Sequence, residues 1–445
     1  MRGESPMTAI VAVGAAADTG LIILTVLQCL LGWRLFHTVI LHLRHRREGM
    51  ARERAALALP LPPDAELPGV LVQIPTYNEG ALVERVLEAV TVLDWPRDRL
   101  EIQVLDDSTD ASAEMGRIAV DRFRALGHSV TLLHRDHRSG FKAGALKAGL
   151  AVSNQPFVAI FDADYIPAPD FLRRCMRPLI ADRGLAFAQA RCDFLNAHEN
   201  WVTRVQQVIL ESHFAVEQVT RSWAGQCLPF NGTCGIWRRD AIEDAGSWQG
   251  DTLTEDLDLS YRADLAGWRA VYLVSVPVPG EVPDSVAAWR RQQLRWNKGY
   301  AQTARKLLPR IGRAPIPLRR KFDALLHLSG CTFGVMTIAG NVLFNIDLVL
   351  GTMSYRIVLP LTAYALLQSM VGALALALLS RRVLRDVACD EPSTGPMQRC
   401  WLALCTIGMH AYAGLITGTG VLDGMRGRAS LFVRTPKTGA LAPPR

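Results

Sequence analysis

Phe157-Val158-Ala159-Ile160-Phe161 runs without a break into Asp162-Ala163-Asp164. An apolar run of this length, rich in β-branched and aromatic residues, predicts a strand buried on both faces. The two carboxylates that follow then stand where the strand leaves the core. Four other runs have the same form, at 70–74, 102–105, 130–133 and 185–188. Between the runs, apolar residues recur at helical spacing, as in Leu82, Val86, Leu87, Val90 and Leu93. Alternating strands and helices predict an α/β fold around a parallel, doubly wound sheet. Such sheets bind ligands at the carboxyl ends of their strands, so the residues after each run are the ones to inspect for chemistry.

Acids stand at two of these exits: Asp106 and Asp107, with Asp110 close behind, and then Asp162 and Asp164. Carboxylates gathered at strand ends repel one another unless a cation or a hydrogen-bonding ligand lies between them. A hard divalent metal that bridges a diphosphate satisfies this, because Mg²⁺ takes one or two carboxylates and completes its shell with phosphate oxygens and water. Alone, a D-x-D is more often a surface turn or a cap. Gly140, Gly144 and Gly149 lack the G-x-G-x-x-G spacing and no Walker A motif is present, which argues against a dinucleotide oxidoreductase and a P-loop enzyme.

Further along, Thr254-Glu255-Asp256 opens a helical pattern with Leu257, Tyr261 and Leu265 on its apolar side. Thr254 is the expected N-cap, which puts Glu255 and Asp256 in a first turn whose dipole favours the ionised carboxylate; simple capping is the plainer explanation. In the next amphipathic run, Gln292-Gln293-Leu294-Arg295-Trp296 joins an amide, a cation and a large ring, a set able to hold a sugar face and a phosphate. Alternatively, Trp289 and Trp296 anchor that helix at a lipid interface.

The chain has 445 residues and a formal charge of +7, with 49% of residues hydrophobic and 20% charged. That balance excludes a disordered chain, and the length predicts two or three units. Lys and Arg flank apolar stretches instead of covering a folded domain, which indicates a lipid bilayer as partner and no nucleic acid. Nine cysteines without a C-x-x-C pair form neither a zinc site nor a disulfide framework and read as reduced thiols. Apolar residues 21–43, followed by Arg44, Arg46 and Arg47, predict an uncleaved transmembrane anchor with its continuation in the cytoplasm. Two more spans are expected at 325–350 and 358–379, the first preceded by a strongly basic segment. The stretch 401–422 has basic residues on both sides, among them Arg399 and Arg426, and is expected to be re-entrant or interfacial, a third span being the alternative.

Taken in order, Asp106-Asp107, Asp162-Ala163-Asp164, Thr254-Glu255-Asp256 and Gln292-x-x-Arg295-Trp296 resemble the D, DxD, TED and QxxRW motifs of the family 2 glycosyltransferases, the cellulose-synthase-like processive branch in particular. Ile74-Pro75-Thr76-Tyr77-Asn78-Glu79, Lys142-Ala143-Gly144-Ala145-Leu146 and Asn231-Gly232-Thr233-Cys234-Gly235 are also similar to that family, especially to bacterial relatives of plant mannan and glucomannan synthases. The resemblance implies an α/β, GT-A (Rossmann-like, doubly wound) cytoplasmic domain with N- and C-terminal transmembrane or interfacial helices. It implies inverting transfer of a hexose from a nucleotide sugar, UDP-glucose or GDP-mannose, to a growing β-linked polysaccharide. By the same match, Asp106, Asp107 and Lys142 would hold the nucleotide, and Asp162 and Asp164 the diphosphate and a metal, Mg²⁺ or Mn²⁺. Asp256 would be the general base and Arg295 would bind pyrophosphate, with Trp296, Gln292 and Glu255 at the acceptor. Phe432-Val433-Arg434-Thr435-Pro436-Lys437 resembles the family's gating loop, Phe-x-Val-Thr-x-Lys, and assigns that role to Phe432, Thr435 and Lys437; Arg434 departs from the pattern.

The implied organisation is an anchor at 1–48, a Pro-rich linker at 49–68, a GT-A domain at 69–304 and a basic interfacial segment at 305–324. Two spans follow within 325–382, then the re-entrant or third spanning segment within 383–424 and a gating-loop-like tail at 425–445. The protein would sit in the cytoplasmic membrane with its catalytic domain in the cytoplasm; its partners would be the donor, a glycan or lipid acceptor, the bilayer and, for a homo-oligomer, a second copy of itself. Two rivals stay open. Ceramide glucosyltransferases and related glycolipid enzymes share the D, DxD and Q/R-x-x-R-W pattern, and a silent glycan-binding membrane protein would keep the fold, although here every acidic position is filled.

Overall fold

A computed structural model describes residues 6–388, 395–427 and 439. The first half runs α1 (Pro6–Ala58), β1 (Val70–Thr76), α2 (Leu82–Thr91), β2 (Leu100–Asp106), α3 (Ser112–Ala125), β3 (Val130–His134) and α4 (Phe141–Ala151). It continues through β4 (Phe157–Ile160), α5 (Phe171–Ala181), β5 (Leu185–Phe194), α6 (Trp201–Ser212), a π-helical turn (His213–Gln218) and α7 (Val219–Trp223). Then come β6 (Gly235–Arg238), α8 (Arg239–Asp244), α9 (Glu255–Leu265), β7 (Arg269–Gly280) and α10 (Val286–Arg313). The chain closes with α11 (Leu318–Leu328), α12 (Phe333–Leu350), α13 (Tyr355–Ala388) and α14 (Pro396–Met425).

All five apolar runs are strands, and β4 is buried along its whole length as a two-face-covered strand must be. The seven strands form one sheet in the order β3-β2-β1-β4-β6-β5-β7. The expectation of a parallel sheet needs correction: β6 lies antiparallel between β4 and β5, so the sheet is mixed. Strand order reverses between β1 and β4, and both neighbours of that switch point send their carboxyl ends toward the acid-bearing loops. Thr76, Asp106 and His134 are brought into one row there by the parallel registers of β1, β2 and β3.

Among the described residues, three stretches are long and apolar enough to cross a membrane: Met7–Ala58, Leu318–Leu350 and Tyr355–Val387. Leu30, Val349 and Leu366 are 55%, 84% and 62% exposed on them, a coat of large apolar side chains that suits lipid and not water. At ~1.5 Å per residue α1 is about 80 Å long, more than a bilayer needs. Its far end covers the α/β domain, where buried Glu53 accepts from the Ser275 amide at 2.9 Å and hydroxyl at 2.7 Å. Residues 49–58, expected as linker, are therefore helix, and the extended Pro-rich stretch starts after Ala58. The basic segment is divided as well: residues 305–313 finish α10 and α11 begins at Leu318.

The stretch at 401–422 lies inside one unbroken helix, α14, docked along α10. Arg399, expected as a basic flank, is fully buried; it pairs with Glu211 of α6 at 2.5 Å and donates to the Ser380 hydroxyl at 3.0 Å. Trp289 is buried as well, with Val205 of α6, Ala377 of α13 and Leu402 of α14, which removes the lipid-anchor reading for that ring.

Candidate active site

The β2 exit holds its acids tightly. Asp106, 2% exposed, accepts from the Thr76 hydroxyl and the Ser108 amide, each at 3.1 Å, and from His134 Nδ1 at 2.7 Å. Asp107 takes the two-pronged Arg135 guanidinium, Nε at 2.7 Å on one oxygen and Nη2 at 2.6 Å on the other. Bidentate pairs of this kind fix both partners. The Arg138 guanidinium lies 3.3 Å above the centre of the Tyr77 ring. Arg135 also donates to the Phe141 carbonyl at 3.0 Å, which ties the β2 exit to the start of α4. Tyr77, His134, Arg135 and Arg138 therefore build a cationic, aromatic shelf; of these the sequence reading had only Tyr77, within the Ile74–Glu79 motif, though the basic run after β3 was a visible sign of the rest.

At the β4 exit the charges converge from four parts of the chain. Lys142 Nζ donates to Asp162 at 2.5 Å and to the Gly232 carbonyl at 3.0 Å. The Asp162 amide donates to the Thr233 hydroxyl at 2.9 Å. Gly232 has φ +77°, and a Cβ there would fall 2.9 Å from Asp256 Oδ2 and 3.5 Å from Lys142 Nζ, so glycine lets the Asp256 carboxyl and the lysine flank one backbone position. Asn78, Phe141 and Cys234, with φ of 56°, 48° and 59°, are non-glycine residues in the left-handed region. All three border the loops just described, and such strained backbone collects at functional sites.

Electrostatics confirm the convergence. Glu255 is pushed up to about 7 by burial and then by the Asp256 charge, against the pull of Lys142 and Arg295. Asp256 is raised by burial, although the Leu257 amide at 2.8 Å and Lys142 both favour its ionised form. Burial would lower Lys142, but the charges of Asp162, Glu255 and Asp256 outweigh it and raise the ammonium above its ordinary value. Arg295 is lowered by burial and supported by Glu255, Asp162 and Asp256. The Asp256 charge pushes its buried neighbour up, so the pair holds one proton near neutrality, on Glu255.

Helix α10 is clamped to this cluster. Thr254 occupies the N-cap position of α9, but its hydroxyl does not cap; it bonds to the Thr303 hydroxyl at 3.1 Å, which corrects the expected role. Leu253 N donates to Gln302 Oε1 at 2.9 Å, and a Cβ at Gly299 would come within 2.6 Å of Thr254. Gln292 is buried and Trp296 half-buried on the same helix as Arg295.

Asp164, 5% exposed, lies toward β7, where its Oδ2 accepts from the Glu281 amide at 3.2 Å. Arg85 joins the Asp164 carbonyl at 3.2 Å to the Glu281 carboxylate at 3.0 Å. Gly439 N donates to the Glu281 carboxylate at 3.1 Å, which places that residue at this edge of the site. Phe432, Thr435 and Lys437 lie outside the described residues. Among the described residues no three His, Cys, Asp or Glu side chains gather as a self-sufficient metal cage. Asp162 and Asp164 offer the two hard oxygen ligands that fit Mg²⁺ or Mn²⁺ when a diphosphate completes the shell.

A family model described as "Glycosyltransferase like family 2" matches residues 68–299, just over half of the chain. The chain belongs to the family 2 glycosyltransferases. Within the family it is 45% identical over 264 residues to glucomannan 4-beta-mannosyltransferase 1 of Oryza sativa subsp. japonica, covering 57% of this chain and 51% of that protein. It is 44% identical over 254 residues to glucomannan 4-beta-mannosyltransferase 7 of Arabidopsis thaliana, covering 56% and 46%. The chain spans about half the length of the curated relatives it matches. Among solved structures, the Pyrobaculum calidifontis mannosyltransferase PcManGT, in complex with GDP-Man and Mn²⁺, superposes with a TM-score of 0.54 at 20% identity, over 91% of this chain and all of that one. That likeness shows the fold of this glycosyltransferase.

Proposed function

We propose that the protein is a membrane-bound, inverting mannosyltransferase that moves mannose from GDP-mannose onto the growing end of a β-linked mannan-type polysaccharide, with its catalytic domain in the cytoplasm. The observation that carries the chemistry is the meeting of Lys142, Asp162, Asp256 and Arg295 around the Gly232 turn. The choice of sugar rests on the relatives named as mannosyltransferases and on the GDP-Man held by the structural neighbour.

Inverting transfer forms a bond from an acceptor hydroxyl to the anomeric carbon as the bond to the nucleoside diphosphate breaks on the opposite face. The bonding pair leaves with the diphosphate, and the hydroxyl proton must leave as the new bond forms. Asp256 takes that proton. Lys142 and Arg295 face the charge that grows on the leaving group, where preorganised cations stabilise a transition state most. Asp162 and Asp164 would hold Mg²⁺ or Mn²⁺, whose contribution is neutralisation of diphosphate charge. Gln292 and Trp296 supply the amide and ring that position an acceptor sugar, and Glu255 keeps the proton of the acid pair off Asp256.

Purified protein in lipid vesicles, given labelled GDP-mannose or labelled UDP-glucose with Mn²⁺ and a manno-oligosaccharide, tests this reading. Mannose from GDP-mannose should enter chains that a β-mannanase degrades. Glucose incorporation alone, or one sugar on a solvent-extractable lipid, would overturn it.

A further inference from the structure

Arg34 lies inside the apolar stretch of α1, where a cation is costly unless it has a partner. It pairs with Glu217. Glu217 belongs to the π-helical turn His213–Gln218, which joins α6 to α7. Such turns contain an extra residue per hydrogen-bonded ring and collect at functional sites. Burial alone would raise the Glu217 carboxyl, but the charges of Arg34 and His213 hold it well below the usual carboxylate range. The pair is thus a charged, partly desolvated contact between the membrane helix and the turn.

The next residue, Gln218, is 1% exposed and donates to Asn231 Oδ1 at 2.6 Å. Asn231 is fixed from its other side, its amide donating to Gln189 Oε1 at 2.9 Å. Its neighbour is Gly232, whose carbonyl receives Lys142 Nζ. A continuous set of contacts thus leads from Arg34 through Glu217, Gln218, Asn231 and Gly232 to the lysine that grips Asp162.

We infer that Arg34 and Glu217 are positioning residues for the donor pocket, holding the π-helical turn so that Gln218 and Asn231 present the Gly232 carbonyl to Lys142. The inference rests on the mannosyltransferase reading above, since Lys142 is taken to serve the donor. Neither residue touches substrate, so their loss should act on donor binding and not on the chemical step.

The test is steady-state kinetics with GDP-mannose in reconstituted vesicles, alongside thermal unfolding of each variant. Glu217→Gln should raise the donor KM roughly tenfold, the size expected for a lost charged hydrogen bond, with kcat within about threefold of wild type. The exchange Arg34→Glu with Glu217→Arg should recover most of that loss. Asn231→Ala, which leaves the ion pair intact, should raise KM similarly, and with Glu217→Gln the two effects should not add. An unchanged KM in Glu217→Gln or Asn231→Ala, or additive effects in the pair, would overturn the coupling while wild type still transfers mannose. Wild-type protein that transfers no sugar would overturn the functional reading itself and this inference with it.

Discussion

The exits of β2 and β4 carry the same residue type at the same place in one sheet, yet they are built for different ends. At β2, Asp106 and Asp107 are saturated by Thr76, Ser108, His134 and Arg135. At β4, Asp162 has Lys142, and the neighbouring Glu255 and Asp256 are both raised by burial, Glu255 also by the charge of Asp256. The first exit has its electrostatics settled by the fold and serves as a shelf. The second holds charge that folding leaves unbalanced, which is what a site must do if a charged ligand is to complete it.

Substitutions can break this contrast. The largest effect is expected for Asp162→Asn, which removes the charged partner of Lys142 and one of the two ligands proposed for a divalent cation; turnover should fall on the order of 10²-fold or more. Thermal unfolding should hardly move. A variant that unfolds early but transfers sugar normally when folded would reverse the assignment.

Next in size is Asp106→Ala. It takes the acceptor from the Ser108 amide and leaves a gap beside His134, so the protein should lose about 1–3 kcal/mol of stability. The readout is a lower unfolding temperature, with residual activity in the molecules that stay folded. Full stability with abolished donor binding would assign Asp106 to the ligand and not to the shelf.

The smallest effect is a shift in pH dependence. Burial raises the Asp256 carboxyl above its ordinary value, so kcat/KM should climb as pH rises through that raised range and level off once the base is ionised. Glu255→Gln keeps a neutral side chain beside Asp256, as the protonated glutamate does, and should leave that climb in place while removing any further change in rate near pH 7. The stability consequence has a definite sign. A carboxyl raised on folding binds its proton more tightly in the native state, so stability falls as pH rises from the ordinary 4.5 toward 7. Glu255→Gln should flatten that fall, whereas a stability profile identical to wild type would show that Glu255 is not the raised group.

Strands β1 to β5 were legible because buried parallel strands are unbroken apolar runs. Strand β6 was not, since four residues from Gly235 to Arg238 read as the end of the Asn231–Gly235 motif. Strand β7 carries Pro277 and Pro279, which argue against a central strand but are tolerated here at the sheet edge. The acids could be found because each follows a strand or opens a helix. Their partners could not: His134 reaches Asp106 only through the register of β3 on β2, and Arg34 reaches Glu217 only through the π-helical turn. Long-range register and an extra residue in a helical turn leave no periodic mark in a sequence.

The most direct test of the central claim is Asp256→Asn measured two ways, GDP-mannose affinity in the presence of Mn²⁺ and single-turnover transfer to a manno-oligosaccharide. Donor affinity should stay within about threefold of wild type while transfer falls on the order of 10²-fold or more. Transfer at the wild-type rate would contradict the account, because the proton would then leave by a route that does not involve the carboxylate at Gly232.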